Sequence, residues 1–449
     1  MTKKRQIKLA AYLIGTGMHV TSWRHPKAKP NASIDPAAFI QYAQIAEKGK
    51  FDLAFIADSL AVNKESHPQI LNRFDPVVII TAMAAATEKI GIAGTASTTY
   101  NEPYILARQF ASVDHVSGGR AGWNMVTTAD ATGETALNFS LQKHWEHDHR
   151  YERAEEFVDV VKGLWDSWED DAFIYNKETG QFFDSEKMHE LQYKGKYFSV
   201  KGPLNIARSK QGQPVIIQAG SSEPGQRLAA RTAEIVFAHR DDMEEAKRFY
   251  KELKSRLPEY GRSEDELLIL HGISPIVGET EEIALEKYNE LQKGIDPYEA
   301  LKFVSGYMGN VDFSKYPLTA SAKEVEFPPV NSIQSQFFEM KKIIAEENLT
   351  VGELYTRFFG AAKKDGFIGT PQQVADEMEK WFTEKAADGF MIQFPLLPYD
   401  LEDFVELVIP ILQERGLYRF EYEGDTLREN LGLKIPKNQF TQKKQEIQG

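Results

Sequence analysis

No cysteine occurs anywhere in the 449 residues. Disulfide frameworks, thiolate metal sites and cysteine nucleophiles are therefore excluded. Nor does any apolar run approach the roughly 20 residues that cross a bilayer as a helix. The start, "MTKKRQIKLAAYLIG", is basic and then apolar, but the apolar part is short and strand-like, and no small-residue cleavage site follows it. Positive charge is the scarcer sign: 53 Lys and Arg stand against 66 Asp and Glu, for a net charge of −13. That balance disfavours nucleic acid and anionic membrane surfaces as general partners. Three motifs are missing as well. "GTGMHV" fails the dinucleotide-binding G-x-G-x-x-G at its last position, and neither a P-loop nor an H-E-x-x-H occurs. The expectation is a cytoplasmic protein that works on small molecules.

What is present is a rhythm. Short apolar runs fall at Ile7–Gly15, Phe51–Ala57, Ile90–Ser97, Arg120–Thr128, Pro214–Gly220, Ala233–His239, Leu267–Ser274 and Gly389–Phe394. They are apolar throughout instead of alternating, as parallel strands covered on both faces should be. Helical patterns lie between them, and "DPAAFIQYAQIAEKGK" and "DPVVIITAMAAATEKI" both open with Asp-Pro, a helix-start signal. Eight such alternations predict an α/β fold, the (β/α)8 TIM barrel, as a single domain over residues 1–433. Long insertions interrupt it after strand four (129–212) and strand seven (279–370), and a polar, loosely ordered tail follows (434–449). The first insertion holds a helix from Tyr151, with Phe157, Val161, Leu164 and Trp168 on one face.

Barrel active sites are built at the C-terminal ends of the strands. There the sequence places His19, Trp23, Arg24 and His25, then Asp58, then Thr95 and Ser97, then Trp123, Asn124 and Thr127, and finally His239 and His271. Singly, each has an ordinary explanation: a hydrogen-bonded core histidine, or for Asp58 a helix cap. Arg24 suits either a substrate carboxylate or a structural ion pair. "QAGSSEPGQRLAAR" reads as a strand, a glycine turn and a helix start, where Gly220, Ser221, Ser222 and Gly225 could hold a phosphate or simply cap the helix. "KHWEHDHRYERAEEF" packs His144, His147 and His149 beside Glu146 and Asp148, which fits a metal site or a solvated helix start.

Taken together, "HVTSWRHP", "SGGRAGWNMVTT", "HDHRYERAEEF", "QAGSSEPGQRLAAR" and "GFIGTPQQVADEM" resemble the flavin-dependent monooxygenases of the bacterial luciferase superfamily. The likeness covers about residues 6–420 and is closest to the nitrilotriacetate and dibenzothiophene-sulfone monooxygenase branch. It implies a homodimer that uses FMN, reduced by a separate NAD(P)H:flavin reductase, and O2. By position, Asp58 and Thr95 should lie along the isoalloxazine, with Asn124 beneath it. His147 and Tyr151 match the flavin-contacting pair, and Gly220, Ser221 and Ser222 match the phosphate turn. His19 falls on the substrate side, so the expected catalytic residues are His19 and His147, with no metal ligand. "MHVTSWRHP" should line the pocket mouth. The expected reaction oxygenates a small sulfur- or nitrogen-containing compound and leads to C–S or C–N cleavage. The alternatives are an F420-dependent oxidoreductase of the same fold and a metal-dependent barrel hydrolase.

Overall fold

Eight apolar segments pair edge to edge, every pair parallel: β1 (Lys8–Tyr12), β2 (Leu53–Ile56), β3 (Gly91–Ser97), β4 (Ala121–Val126), β5 (Val215–Ala219), β6 (Ile235–Ala238), β7 (Leu268–Ile273) and β8 (Gly389–Gln393). The computed structural model describes residues 5–64, 66–128, 130, 134–220, 222–240, 242–328, 334–358 and 366–442. The ring closes between its first and last strands, with Lys8 opposite Gly389 and Tyr12 opposite Gln393. The predicted barrel is therefore observed, and all eight strands fall inside their predicted runs.

The strands are apolar on both faces because both faces are covered. Ala10, Leu53, Phe55, Ala93, Ile217, Leu270 and Met391 fill the interior, while Leu9, Ala54, Ile92 and Trp123 pack under the helical layer. The longer helices are α1 (Pro36–Lys48), α2 (Pro76–Ala85), α3 (Pro103–Ser117), α4 (His147–Trp165), α5 (Glu223–Thr232), α6 (Met243–Ser255), α7 (Glu281–Lys293), α8 (Pro297–Tyr307), α9 (Gln334–Glu346) and α10 (Pro371–Thr383). The Asp-Pro starts act as expected. Asp35 accepts from the Ala37 N–H, and Asp75 from those of Val77 and Val78, ahead of a proline that has no N–H to satisfy.

Two helix details correct the sequence reading. Helix α4 starts at His147, one turn before Tyr151, and ends at Trp165. Trp168 therefore lies beyond it, buried with its indole N–H on the Leu204 carbonyl at 2.7 Å. Phe157, Val161 and Leu164 are buried on α4 as expected.

The two ends of the barrel differ. At the N-terminal end, Leu427, Leu431 and Leu433 join the interior cluster as a plug. Buried ion pairs hold the surroundings: Arg419 with Asp52, and Arg428 with Glu234. The tail beyond is polar, yet its first part is anchored. The Asn438 amide donates to the carbonyls of Asp166 and Trp168, each at 2.9 Å, and Phe440 stacks on His189. At the C-terminal end, α8 and α9 build a small core of their own, into which Val20 of the loop after β1 inserts. The described residues of this segment thus roof that end.

Candidate active site

Direction along each strand decides which side chains reach the mouth. Thr95 and Asn124 are register partners on β3 and β4. The Thr95 hydroxyl donates to the Ile56 carbonyl at 2.9 Å and accepts from the Asn124 amide at 2.8 Å. The Asn124 Oδ1 is left buried without a partner. Asp58 follows β2, half-buried, accepting from the Ser59 N–H at 2.8 Å instead of capping a helix. Burial raises its carboxyl pKa, an effect the charge of Arg73 partly offsets. Aromatic rings of Tyr12, Phe55 and Phe237 lie beside one another inside the barrel, with centroids 5.4 and 4.8 Å apart.

Two predicted mouth residues face the other way. Trp123 is fully buried between the strands and α4, 5.9 Å from Phe157 and 6.2 Å from Trp165. His271 stacks on Trp381 of α10 at 4.3 Å, outside the barrel wall. The exposed His239 ring lies parallel to it, 5.9 Å away.

The glycine turn between β5 and α5 is the clearest construction. Ser222 caps α5, its hydroxyl accepting from the Gly225 N–H at 3.3 Å. The Gln218 amide fixes the Gly225 carbonyl at 2.8 Å. A Cβ on Gly225 would meet the Tyr151 hydroxyl and the Ser222 hydroxyl at 3.1 Å each, and one on Gly220 would stand 3.5 Å from that tyrosine oxygen. Glycine at these positions leaves room for Tyr151, which approaches from α4. Among the described residues the Tyr151 hydroxyl has no hydrogen-bond partner. His147, one turn earlier, lies 4.9 Å from the Tyr151 ring, with Nδ1 3.0 Å from Asp148 and Nε2 unengaged within the described residues. Helix N–H groups, a serine and a tyrosine hydroxyl thus converge as an anion cradle. Ser221 lies outside the described residues.

The three histidines of "KHWEHDHRYERAEEF" separate. His144 is buried, accepting from Arg150 and bonded to the Tyr100 hydroxyl at 2.5 Å. His149 stacks on Trp145 at 5.0 Å. Only His147 turns toward the cradle, and among the described residues no three His, Asp or Glu side chains converge on a metal position.

"MHVTSWRHP" divides in two. His19 is buried, with Nδ1 on the Thr21 hydroxyl at 2.9 Å and Nε2 on the Gln292 amide at 3.0 Å. Thr21 in turn donates to the Leu291 carbonyl at 2.9 Å. Gly17, with a φ of 122°, lets the loop pass where a Cβ would sit 2.3 Å from the Pro395 carbonyl oxygen. Trp23, 41% exposed, lines a cavity together with Thr16, Gly17, Pro68 and Gln69. Arg24, also exposed, donates to the Gly294 carbonyl at 2.8 Å, and His25 reaches Glu290 at 3.3 Å. These residues tie the loop to α7 and its C-terminal turn, and among the described residues Arg24 makes no ion pair.

The sequence reading missed His67 and Arg73. His67 caps a one-turn helix, accepting from the Gln69 N–H at 3.2 Å, and its ring meets Phe303 of α8 at 6.0 Å. Burial lowers the pKa of both His19 and His67 to about 4, and the proximity of His67 adds to the drop at His19. "SHPQI", a histidine before a helix-starting proline, was the available signal for His67. Tyr307 of α8, its pKa pushed up to about 12 by burial, comes near Tyr12. The mouth therefore has a hydroxyl-and-amide floor, an anion cradle at one side and a roof of neutral imidazoles and phenols. That layout suits a flat polar ring with an anionic tail.

The luciferase-like monooxygenase model matches residues 16–389. The chain is 52% identical to N-acetyl-S-(2-succino)cysteine monooxygenase of Bacillus subtilis (strain 168), over 98% of this chain and 99% of that protein. It is 42% identical to nitrilotriacetate monooxygenase component A of Aminobacter aminovorans, again over 98% and 99% of the two chains. Riboflavin lyase, solved with a modified FMN and riboflavin, aligns at a TM-score of 0.84 and 31% identity, over 96% of this chain and 97% of that one.

Proposed function

Since the chain belongs to the luciferase-like monooxygenases, we propose that it is the oxygenase of a two-component system using FMN reduced by a separate NAD(P)H:flavin reductase. The observation that carries this is the cradle: Tyr151 and the Gly220–Gly225 turn meet at the start of α5, with His147 alongside. The residues present fit the cofactor. The α5 N-terminus, Ser222 and Tyr151 would hold the phosphate, and the orphaned Asn124 Oδ1 would accept from the ring system. When bound, reduced flavin supplies the two electrons that place one atom of O2 in the substrate and release the other as water.

The chain's own groups do the rest. Thr95 and Asn124 fix one another and so pre-set the floor. His147 can pass a proton through Nε2 at the open side of the cradle. His19 has both ring nitrogens engaged, so we assign it to holding α7 over the mouth instead of to proton transfer. The roof from α8 excludes water, protecting the reacting centre from unproductive side reactions.

The substrate is a small, anionic sulfur- or nitrogen-containing compound, cleaved at C–S or C–N after oxygenation. The names of the 52% and 42% identical relatives, a succinylated cysteine thioether and nitrilotriacetate oxygenases, support this class. Of the two, the thioether N-acetyl-S-(2-succino)cysteine is the first choice. We take the enzyme to work in the cytoplasm as a homodimer. The test is to supply purified protein with FMN, a reductase, NADH and that thioether, and follow thiol release against O2 uptake. Thiol release that needs both FMN and reductase is expected. O2 uptake with no change in this thioether or in any aminocarboxylate tried beside it would defeat the substrate assignment.

A further inference from the structure

We propose that Arg73 is the specificity-determining residue that grips a substrate carboxylate at the mouth; the inference rests on the thioether-oxygenase reading above and deepens it. Arg73 follows the one-turn helix Pro68–Leu71, on the stretch between β2 and α2. Its guanidinium is half-buried and held at one point only, NH2 donating to the Gln69 carbonyl at 2.9 Å. Its Nε is buried with no partner. Among the described residues no carboxylate lies within 4.0 Å of it.

Several other guanidiniums in the molecule are more fully engaged. Arg419, Arg428 and Arg208 sit on Asp52, Glu234 and Asp166. Arg120 is enclosed by the carbonyls of Ala84, Thr87, Ile90 and Ser117. Arg153 lies over the Trp145, Phe157 and Phe198 rings. Among the described residues Arg73 has no carboxylate, carbonyl cage or aromatic face of this kind. A half-buried guanidinium held at one point keeps capacity for an arriving anion.

Its location says what arrives. The charge of Arg73 acts on both Asp58 and Tyr12, which end β2 and β1 at the mouth. The segment is pinned beneath the His19 loop, since the Gln69 amide donates to the carbonyls of Gly17 and Met18 at 2.8 and 2.6 Å. A guanidinium fork matches a carboxylate, and a lysine would supply charge without the two-point geometry. The substrate class is therefore an organic acid whose carboxylate sits on the β1–β2 side, opposite the cradle on β5.

The test uses full-length protein saturated with oxidised FMN and titrates two probes calorimetrically. These are the succinyl thioether of N-acetylcysteine and its fully methylated ester. Wild type is expected to bind the acid about 30-fold or more tighter than the ester, the worth of a charge-assisted contact. Arg73→Gln should abolish that gap, and Arg73→Lys should restore only part of it, while both variants bind FMN as wild type does. A gap that survives in Arg73→Gln, or a wild type that binds acid and ester alike, would overturn the proposal. Turnover is read separately. An acid that binds through Arg73 but is not oxygenated would leave the anchor standing and remove the reaction assigned above.

Discussion

His147 meets Tyr151 across one helical turn and offers the cradle a free nitrogen, so its loss should be felt by the cofactor and not by the fold. His147→Ala is expected to weaken FMN binding or turnover about tenfold, equivalent to ~1.4 kcal/mol, with an unchanged melting temperature. Equal FMN affinity and equal rate in the variant would take the residue out of the site. The buried pair His19 and His67 makes a second prediction, about pH. Each ring has a folded pKa of about 4, lowered first by burial, against an ordinary 6.5. As pH falls below 6.5 the unfolded chain takes up protons that the folded chain refuses. Stability is therefore complete above that value and drains away toward pH 4, by up to about 3 kcal/mol for each ring. In the melting temperature this fall between pH 6.5 and 4 is superposed on an opposite trend from buried Asp400, whose carboxyl burial raises to about 7. His67→Asn, which keeps a capping acceptor, should flatten that fall; an unchanged slope would mean the ring is not buried neutral.

At the start of α5, Gly225 serves two opposing demands. Alanine is the better helix former by about 1 kcal/mol, but its Cβ would enter the space where Tyr151 and Ser222 meet. Gly225→Ala should hold or raise the melting temperature while raising the FMN dissociation constant at least about tenfold. A drop in both, or in neither, would contradict the cradle. The turn itself was legible, because glycine, serine and proline each state a backbone requirement in the sequence. So were the strands, whose unbroken apolar runs announce burial on two faces. The same uniformity hid which face each residue takes. Trp123 and Asn124 are neighbours, yet one packs under α4 and the other enters the barrel. Leu270 fills the interior while His271 turns out to Trp381. Without an alternation of polar and apolar residues there is no phase to read. Arg73 was hidden for another reason: what marks it is a missing partner, and pairing is settled only in three dimensions.

For the molecule as a whole, the roof comes from one insertion and the cradle from the other half of the barrel, and neither contains a nicotinamide fingerprint. Anaerobic protein mixed with FMN and NADH or NADPH should therefore leave the flavin yellow until a reductase is added. Catalytic bleaching by the protein alone would end the two-component model. The closure of β1 on β8 carries a further consequence, for biosynthesis. The partners leave the ribosome roughly 380 residues apart, on the order of 20–80 s of translation at 5–20 residues per second. Throughout that interval β1 has only β2 to pair with, and its other edge is open to any passing strand. The Leu427–Leu433 plug arrives later still. Yield in a foreign host should thus depend less on the stability of the finished enzyme than on how long a nascent chain can be shielded, and slower growth with ample chaperone should raise the soluble fraction.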